Sequence, residues 1–239
     1  MKEKKIAGLI TAGGSSSRMK DGINKLFIPI NGIPILIYSV IAFSNSEKID
    51  SIFISVKENL IPLVKSLCIS FKIAKKIVVV KGGETRQESV KNLLLSVPNE
   101  IDIICVHDGA RPMITSKSID FLLSNFTEDI DGIIPCTSIT DTVKKIDKNN
   151  IIISTEPRDE LVRVQTPQIF KRDILIEAYK KAEEDKFTGT DEASLVERLS
   201  KKIKVIKLQG KNLKITYKED IETFKQFLLP KDIIKYANG

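Results

Sequence analysis

The stretch Ile6-Ala7-Gly8-Leu9-Ile10-Thr11-Ala12-Gly13-Gly14-Ser15-Ser16-Ser17-Arg18-Met19 decides the architecture. Its opening, Ile6 to Thr11, is an apolar run that stops abruptly at glycines and serines with one arginine among them. A strand that ends in a small-residue turn is how a βαβ unit begins. The basic residues before it give the chain start the charge of a signal peptide, but the apolar run is too short for a leader's apolar region of about 7–15 residues. It reads as a first strand.

Outward from this point, short β-branched runs recur at Ser51–Val56, Lys76–Val80, Ile101–Val106 and Gly132–Pro135. Between them lie amphipathic stretches at Ile33–Ser44, Leu60–Phe71, Arg86–Leu95 and Ser116–Phe126. The alternation predicts an α/β fold, a mostly parallel sheet with helices on both faces, which binds ligands beyond the carboxyl ends of its strands. One segment departs from it. Asp141–Ile146 and Ile151–Thr155 are strand-like and joined by Asp147-Lys-Asn-Asn150, a sequence suited to a tight reversal. The expected result is an inserted β-hairpin arm over residues 137–158, with too few large side chains for a core of its own and therefore held by a partner such as a second copy of the chain. Helices at Lys171–Lys186, Asp191–Leu199 and Lys218–Leu228 and a strand at Ile203–Leu208 complete the pattern, and the absence of repeats or a linker predicts a single domain, 1–239.

The 239 residues are 42% hydrophobic and 29% charged, an ordinary globular composition that excludes disordered, collagen-like and disulfide-scaffold classes. Lys and Arg outnumber Asp and Glu by 38 to 31, which favours anionic partners. The lysines are scattered and not interleaved with aromatics, so nucleic acid is not expected among them. Three widely spaced cysteines and a single His write neither a zinc site nor a disulfide framework, and predict reduced thiols in the cytoplasm. No apolar run reaches the 18 or so residues of a membrane helix, so a soluble protein without a membrane partner is expected.

Three strand-end loops carry the chemistry. In the first, Thr11, Ala12 and Gly13 open a turn that lets backbone N–H groups approach a polyphosphate, with Arg18 and Lys25 to neutralise charge. It matches neither the dinucleotide fingerprint nor the P-loop. In the second, Val80-Lys-Gly82-Gly83-Glu-Thr-Arg86-Gln-Glu-Ser89, a strand ends in two glycines and a helix opens, with Ser89 able to reach a base or sugar. In the third, His107-Asp108-Gly109-Ala-Arg111-Pro112, Asp108 is placed to hold Mg²⁺ against a polyphosphate. His107 reads as structural, and Arg111 pairs with Asp108, with a phosphate or with solvent. Arg158 with Gln165-Thr-Pro-Gln168, Thr190-Asp-Glu-Ala193 with Asp191 as a helix cap, and a strand-like Asn212-Leu-Lys214-Ile-Thr216 complete the set.

In this order the motifs resemble those of the cytidylyltransferases that convert 2-C-methyl-D-erythritol 4-phosphate to its CDP derivative, and the resemblance runs from Ile6 to about Phe224. It implies a Rossmann-like nucleotidyltransferase fold, CTP and a polyol phosphate as substrates, and Mg²⁺ or another divalent cation. Position by position, it implies that Arg18 and Lys25 stabilise the transition state at the α-phosphate, and that Thr11, Ala12, Gly13, Gly82, Gly83, Ser89 and Gly109 line the CTP site. Asp108 then lies near the metal and the acceptor, and Arg111, Thr142, Arg158, Thr190 and Lys214 surround the acceptor, with Arg158 and Lys214 positioning its phosphate. The hairpin matches an arm that reaches across a homodimer, so that Arg158 serves the neighbouring subunit. Asn24, Leu26 and Phe27 depart from the family's usual residues, and the first two are expected to alter how the loop orders Lys25. Gly109 replaces an alanine and is expected to be benign or slightly more flexible. Gly-Ala-Arg after Asp108 favours this family over a sister group acting on ribitol 5-phosphate. A non-catalytic nucleotide-binding regulator has no need for Arg18, Lys25 and Asp108 together.

Overall fold

In the computed structural model, which describes residues 4–14 and 24–228, β1 (Ile6–Thr11) is an interior strand of the main sheet. Ile6 and Ile10 face one apolar layer, whereas Ala7 and Leu9 face the other. A strand covered on both faces has no polar side, which is why its sequence runs apolar without alternation. Arg18 lies outside the described residues.

Past the first loop, β2 (Pro29–Ile30) and β3 (Ile33–Pro34) form a short hairpin whose Asn31 and Gly32 both adopt positive φ, the turn that Asn-Gly pairs favour. The repeating units are then α1 (Ile35–Ser44), β4 (Ser51–Val56), α2 (Ile61–Ser70), β5 (Lys76–Lys81), α3 (Arg86–Ser96), β6 (Ile103–Asp108), α4 (Ser116–Ser124) and β7 (Gly132–Ser138). After them come β8 (Val143–Ile146), β9 (Ile152–Glu156), β10 (Val162–Val164), β11 (Gln168–Lys171), α5 (Arg172–Glu184), α6 (Glu192–Glu197), β12 (Ile203–Lys207) and α7 (Lys218–Phe227).

The main sheet runs β10-β7-β11-β6-β1-β4-β5, with β12 also paired to β7. Pairings among β6, β1, β4 and β5 are parallel, as is β12 on β7, while β10 and β11 run antiparallel. Apolar residues of α1, α2, α4 and α7 close one face, and those of α3, α5 and α6 the other. The mostly parallel sheet with helices on both faces is the expected α/β architecture.

Several details differ from the sequence reading. The strand expected at Ile101–Val106 begins at Ile103 and extends through Asp108, so that Asp108 closes it in register with Thr11 of β1. The amphipathic stretch at α1 is a helix buried along all ten residues, because α4 and α7 cover the side that the sheet leaves open; Tyr38 of α1 meets Phe224 of α7 edge-on at 5.1 Å. The strand-like run Asn212–Thr216 is not a strand; it lies along the Asp108 loop, where Ala110 carbonyl accepts the Ile215 N–H at 2.8 Å.

The hairpin forms as its sequence directs. Strands β8 and β9 pair only with each other, and the Asp147 carboxylate accepts the N–H groups of Asn149 and Ile151 while Asn150 turns the chain at φ 64°. Ile146, Ile151, Ile152 and Ile153 are exposed on it. Among the described residues, no helix is long and apolar enough to cross a membrane.

Candidate active site

The carboxyl ends of β1, β5 and β6 open into a cleft of about 630 Å³, within the usual range for a small-molecule site. Thr11, Gly13, Gly14, Lys25, Gly82, Gly83, Ser89, Asp108 and Lys214 line it, together with Arg86 and Lys81. Two glycine turns face each other here, and Ser89 stands between them. Its Oγ accepts the Gly83 N–H at 3.1 Å and donates to the Thr85 carbonyl at 2.9 Å, and it lies 3.0 Å from where a Cβ on Gly82 would stand and 3.4 Å from one on Gly13. Ser89 therefore holds the second turn by its hydrogen bonds and packs close to the first. A Cβ on Gly83 would fall 2.2 Å from that of Glu88, whose carboxylate closes the capping box with Thr85 at the start of α3. Only glycine leaves room for that cap.

Lys25 begins a short 3-10 turn, Lys25–Phe27. Asn24 caps this turn by accepting the Leu26 N–H at 3.2 Å, and Leu26 is buried in the core. The two unusual residues around Lys25 thus anchor the turn that carries it to the cleft.

On the cleft floor, Asp108 Oδ1 accepts Arg86 Nε–H at 2.9 Å and Oδ2 accepts Lys214 Nζ at 2.8 Å. Burial opposes ionisation of Asp108, but the Arg86 and Lys214 charges outweigh it and hold the carboxyl well below the usual range. Arg86 in turn places Nη1 and Nη2 on the two oxygens of Glu192, at 2.7 and 2.8 Å, and Tyr179 adds its hydroxyl to Oε1 at 3.2 Å. Burial alone would weaken the Arg86 cation, whereas the Glu192 and Asp108 carboxylates secure it.

Behind Asp108, Thr166 Oγ1 accepts the Asp108 N–H at 3.1 Å and lies 3.0 Å from His107 Nδ1, while His107 Nε2 lies 3.3 Å from the Arg111 carbonyl. Full burial drives the His107 pKa down to about 3, against the pull of the adjacent Asp108 charge. A neutral ring with its proton on Nε2 satisfies both contacts, with the Thr166 hydroxyl donating to Nδ1. His107 is a packed structural group.

The remaining expected site residues stand away from this cleft. Ala12 and Gly109 are behind its wall: the Ala12 N–H bonds the Ser55 carbonyl and the Gly109 N–H the Thr11 carbonyl. A Cβ on Gly109 would meet Leu36 Cδ1 at 2.8 Å and Thr11 O at 3.1 Å, so this glycine answers a packing demand rather than a need for flexibility. Arg111 donates Nη1 to the Asn212 carbonyl at 2.8 Å, and its Nε stands 3.8 Å from Asp108 Oδ2. Thr190 is exposed, and its neighbour Asp191 caps α6 through the Ser194 N–H. Thr142 and Arg158 are exposed on the arm, where Arg158 Nη1 reaches the Thr140 carbonyl at 2.7 Å. Arg86 and Glu192 are the members that the sequence reading did not assign, although both stood inside its motifs; a charged residue opening a helix next to a glycine turn was the available signal.

Comparison with known proteins places this arrangement. Residues 6–230 match the family model described as 2-C-methyl-D-erythritol 4-phosphate cytidylyltransferase. A relative of that name from Dictyoglomus thermophilum is 38% identical over 97% of this chain and 100% of its own length, and one from Fusobacterium nucleatum is 39% identical over 93% and 96%. The crystal structure of a 4-diphosphocytidyl-2C-methyl-D-erythritol synthase from Anaerococcus prevotii superposes with a TM-score of 0.84 at 27% identity, covering 94% of this chain and 98% of that one.

Proposed function

The chain belongs to the 2-C-methyl-D-erythritol 4-phosphate cytidylyltransferase family, and from that premise we propose how its residues divide the work. It is a CTP-dependent nucleotidyltransferase that joins the cytidylyl group of CTP to the phosphate of 2-C-methyl-D-erythritol 4-phosphate, releasing pyrophosphate. The observation that supports the division of roles is the meeting of two glycine turns, Lys25, Asp108 and Lys214 in one cleft.

In this reading the turns at Gly13 and Gly82–Gly83, with Thr11 and Ser89, take the cytidine and triphosphate, and Ala12 and Gly109 support them from behind. An acceptor phosphate oxygen attacks the α-phosphorus in line as the bond to the β-phosphate bridging oxygen breaks, and the electron pair leaves with pyrophosphate. The attacking oxygen is already ionised, so no general base is needed, and a buried neutral His107 suits such a site. The difficulty is repulsion between a dianion and a tetra-anion, which fixed cations offset. Arg18 and Lys25 serve the α-phosphate, Lys214 and Arg158 the acceptor phosphate, and Arg111, Thr142 and Thr190 the rest of the acceptor.

A divalent cation fits this donor set. Among the described residues there is no cluster of three or more His, Cys, Asp or Glu, while Mg²⁺ is commonly held by one or two carboxylates plus substrate phosphates. Asp108, whose oxygens Arg86 and Lys214 also hold, would bind it together with the substrate phosphates, and there it would neutralise triphosphate charge.

The exposed isoleucines of the arm support contact with a second copy, which would bring Arg158 and Thr142 to the neighbouring cleft. A monomer in sedimentation at micromolar concentration would defeat that arrangement. The three free, buried thiols, Cys68, Cys105 and Cys136, support a reducing, cytoplasmic setting.

The test is pyrophosphate release from CTP and Mg²⁺ with methylerythritol 4-phosphate, with ribitol 5-phosphate or with no acceptor. Release with the first alone is expected. Release only with ribitol 5-phosphate would keep the chemistry and change the acceptor, and CTP binding without release in any arm would leave a regulator.

A further inference from the structure

We propose that Glu192 is a positioning residue, acting through Arg86 to fix the carboxylate of Asp108; the inference rests on the reading of Asp108 as the group that meets the cation and the triphosphate. Glu192 is 1% exposed and lies at the first position of α6. Both of its oxygens are taken by Arg86 Nη1 and Nη2, and Tyr179 holds Oε1 from the side. With Arg86 Nε on Asp108 Oδ1, all three guanidinium nitrogens are committed to two carboxylates. The guanidinium is planar, so the plane that Glu192 imposes on one edge sets the direction from which Asp108 is held on the other.

Glu192 is itself pinned through the Gln165-Thr-Pro-Gln168 motif. Gln168 Nε2 donates to the Asp191 carboxylate at 2.7 Å, and its Oε1 accepts the Ala193 N–H at 3.1 Å, so strand β11 grips the residues on either side of Glu192. A chain of contacts thus runs from the sheet through Gln168, α6, Glu192 and Arg86 to the cleft floor. If folding were its only purpose, well-packed apolar residues would serve at least as well, because desolvation offsets most of the gain from a buried ion pair. The ionic clamp adds direction. With Arg86 on Oδ1, the carboxylate is held at both ends, since Lys214 Nζ reaches Oδ2 at 2.8 Å; without the clamp, Oδ1 loses its partner and the carboxylate is left to Lys214 and to Arg111, whose Nε stands 3.8 Å from Oδ2.

Two variants of the full chain test this. Glu192→Gln removes the charge that orients Arg86, and Tyr179→Phe removes one hydrogen bond to Glu192 while leaving every charge in place. For each, CTP binding with and without Mg²⁺ is measured by calorimetry, and pyrophosphate release is measured across a Mg²⁺ titration, with rates scaled to the folded fraction. Glu192→Gln is expected to lower kcat by about 10–100-fold and to raise the Mg²⁺ midpoint and the CTP dissociation constant in Mg²⁺ by a similar factor, as loss of a residue supporting a metal ligand does. Tyr179→Phe is expected to move the same quantities in the same direction by a few-fold. Wild-type kcat, Mg²⁺ midpoint and CTP affinity in both, with only thermal stability lowered, would overturn the proposal. If Glu192→Gln does not fold, Tyr179→Phe decides: a wild-type midpoint in it overturns the proposal, and a raised one supports it. If wild-type CTP binding is indifferent to Mg²⁺, the reading of Asp108 falls and takes this inference with it, whereas Mg²⁺-dependent wild-type binding with unchanged variants defeats the inference alone.

Discussion

Asp108 and Glu192 are charged side chains inside the molecule, whereas Ile151, Ile152 and Ile153 are apolar side chains about 60% exposed, so the cleft and the arm invert the usual distribution in opposite senses. In the cleft, the inversion is resolved within one chain: Arg86 and Lys214 meet the buried carboxylates. In the arm the isoleucines stay exposed, with none of the described residues covering them. The contrast separates charged residues that the chain's own contacts hold in the cleft from those, such as Arg158, that stand exposed on the arm.

The widest separation is expected in stability. Phe170 of β11 is fully buried in the core layer closed by α3, α5 and α6, and Phe170→Ala should cost about 3–5 kcal/mol in denaturant unfolding. Ile152→Ala on the arm should change chain stability by no more than about 0.5 kcal/mol. Comparable losses would mean that the arm packs on its own chain.

Next comes catalysis. Lys25→Ala should lower kcat by about 10²–10³-fold, some 2.7–4 kcal/mol, while CTP still binds. Arg158→Ala alone should also be impaired, and mixing the two variants should restore about a quarter of wild-type activity, since half the dimers then carry one intact site. No recovery on mixing would place Arg158 in its own subunit's cleft and erase the division between the regions.

A smaller effect sharpens the description of the cleft wall. Gly109→Ala drives a methyl into Leu36 and the Thr11 carbonyl and should cost about 1–3 kcal/mol with a modest loss of activity. A neutral result would show that Leu36 yields freely. A further effect is pH-dependent. His107 has a folded pKa of about 3, below the unfolded value of about 6.5, so the fold favours the neutral ring. Its contribution is complete above about pH 6.5 and falls away as the pH drops toward 3, with a slope of at most about 1.4 kcal/mol per pH unit. His107→Gln should flatten this slope in thermal melts; an unchanged slope would assign it to other groups.

Much of the cleft was legible because its elements announce themselves locally. The Gly-Gly turns follow apolar runs, and Asp108 closes another, so period and punctuation alone put them on one edge of a parallel sheet. The hairpin was legible for the same reason, since Asp147 and Asn150 act within four residues of each other. Strands β10 and β11 were not, because three or four residues carry too little pattern and their pairing with β7 and β6 is purely tertiary. Nor was the course of Asn212–Thr216, whose alternation is that of a strand while its hydrogen bonds go to Ala110 and Arg111.

By itself, the sequence determined the order of strands and helices, the loops at the carboxyl ends and the identity of the charged residues available there, because these depend on neighbours a few positions apart. Only the tertiary structure decided that Arg86 is shared between Asp108 and Glu192, 22 and 106 residues away, that Ser89 comes to stand between two glycine turns, and that Gly109 makes room for Leu36. Those are contacts between distant segments, and their geometry is set by how the sheet and helices close around the core.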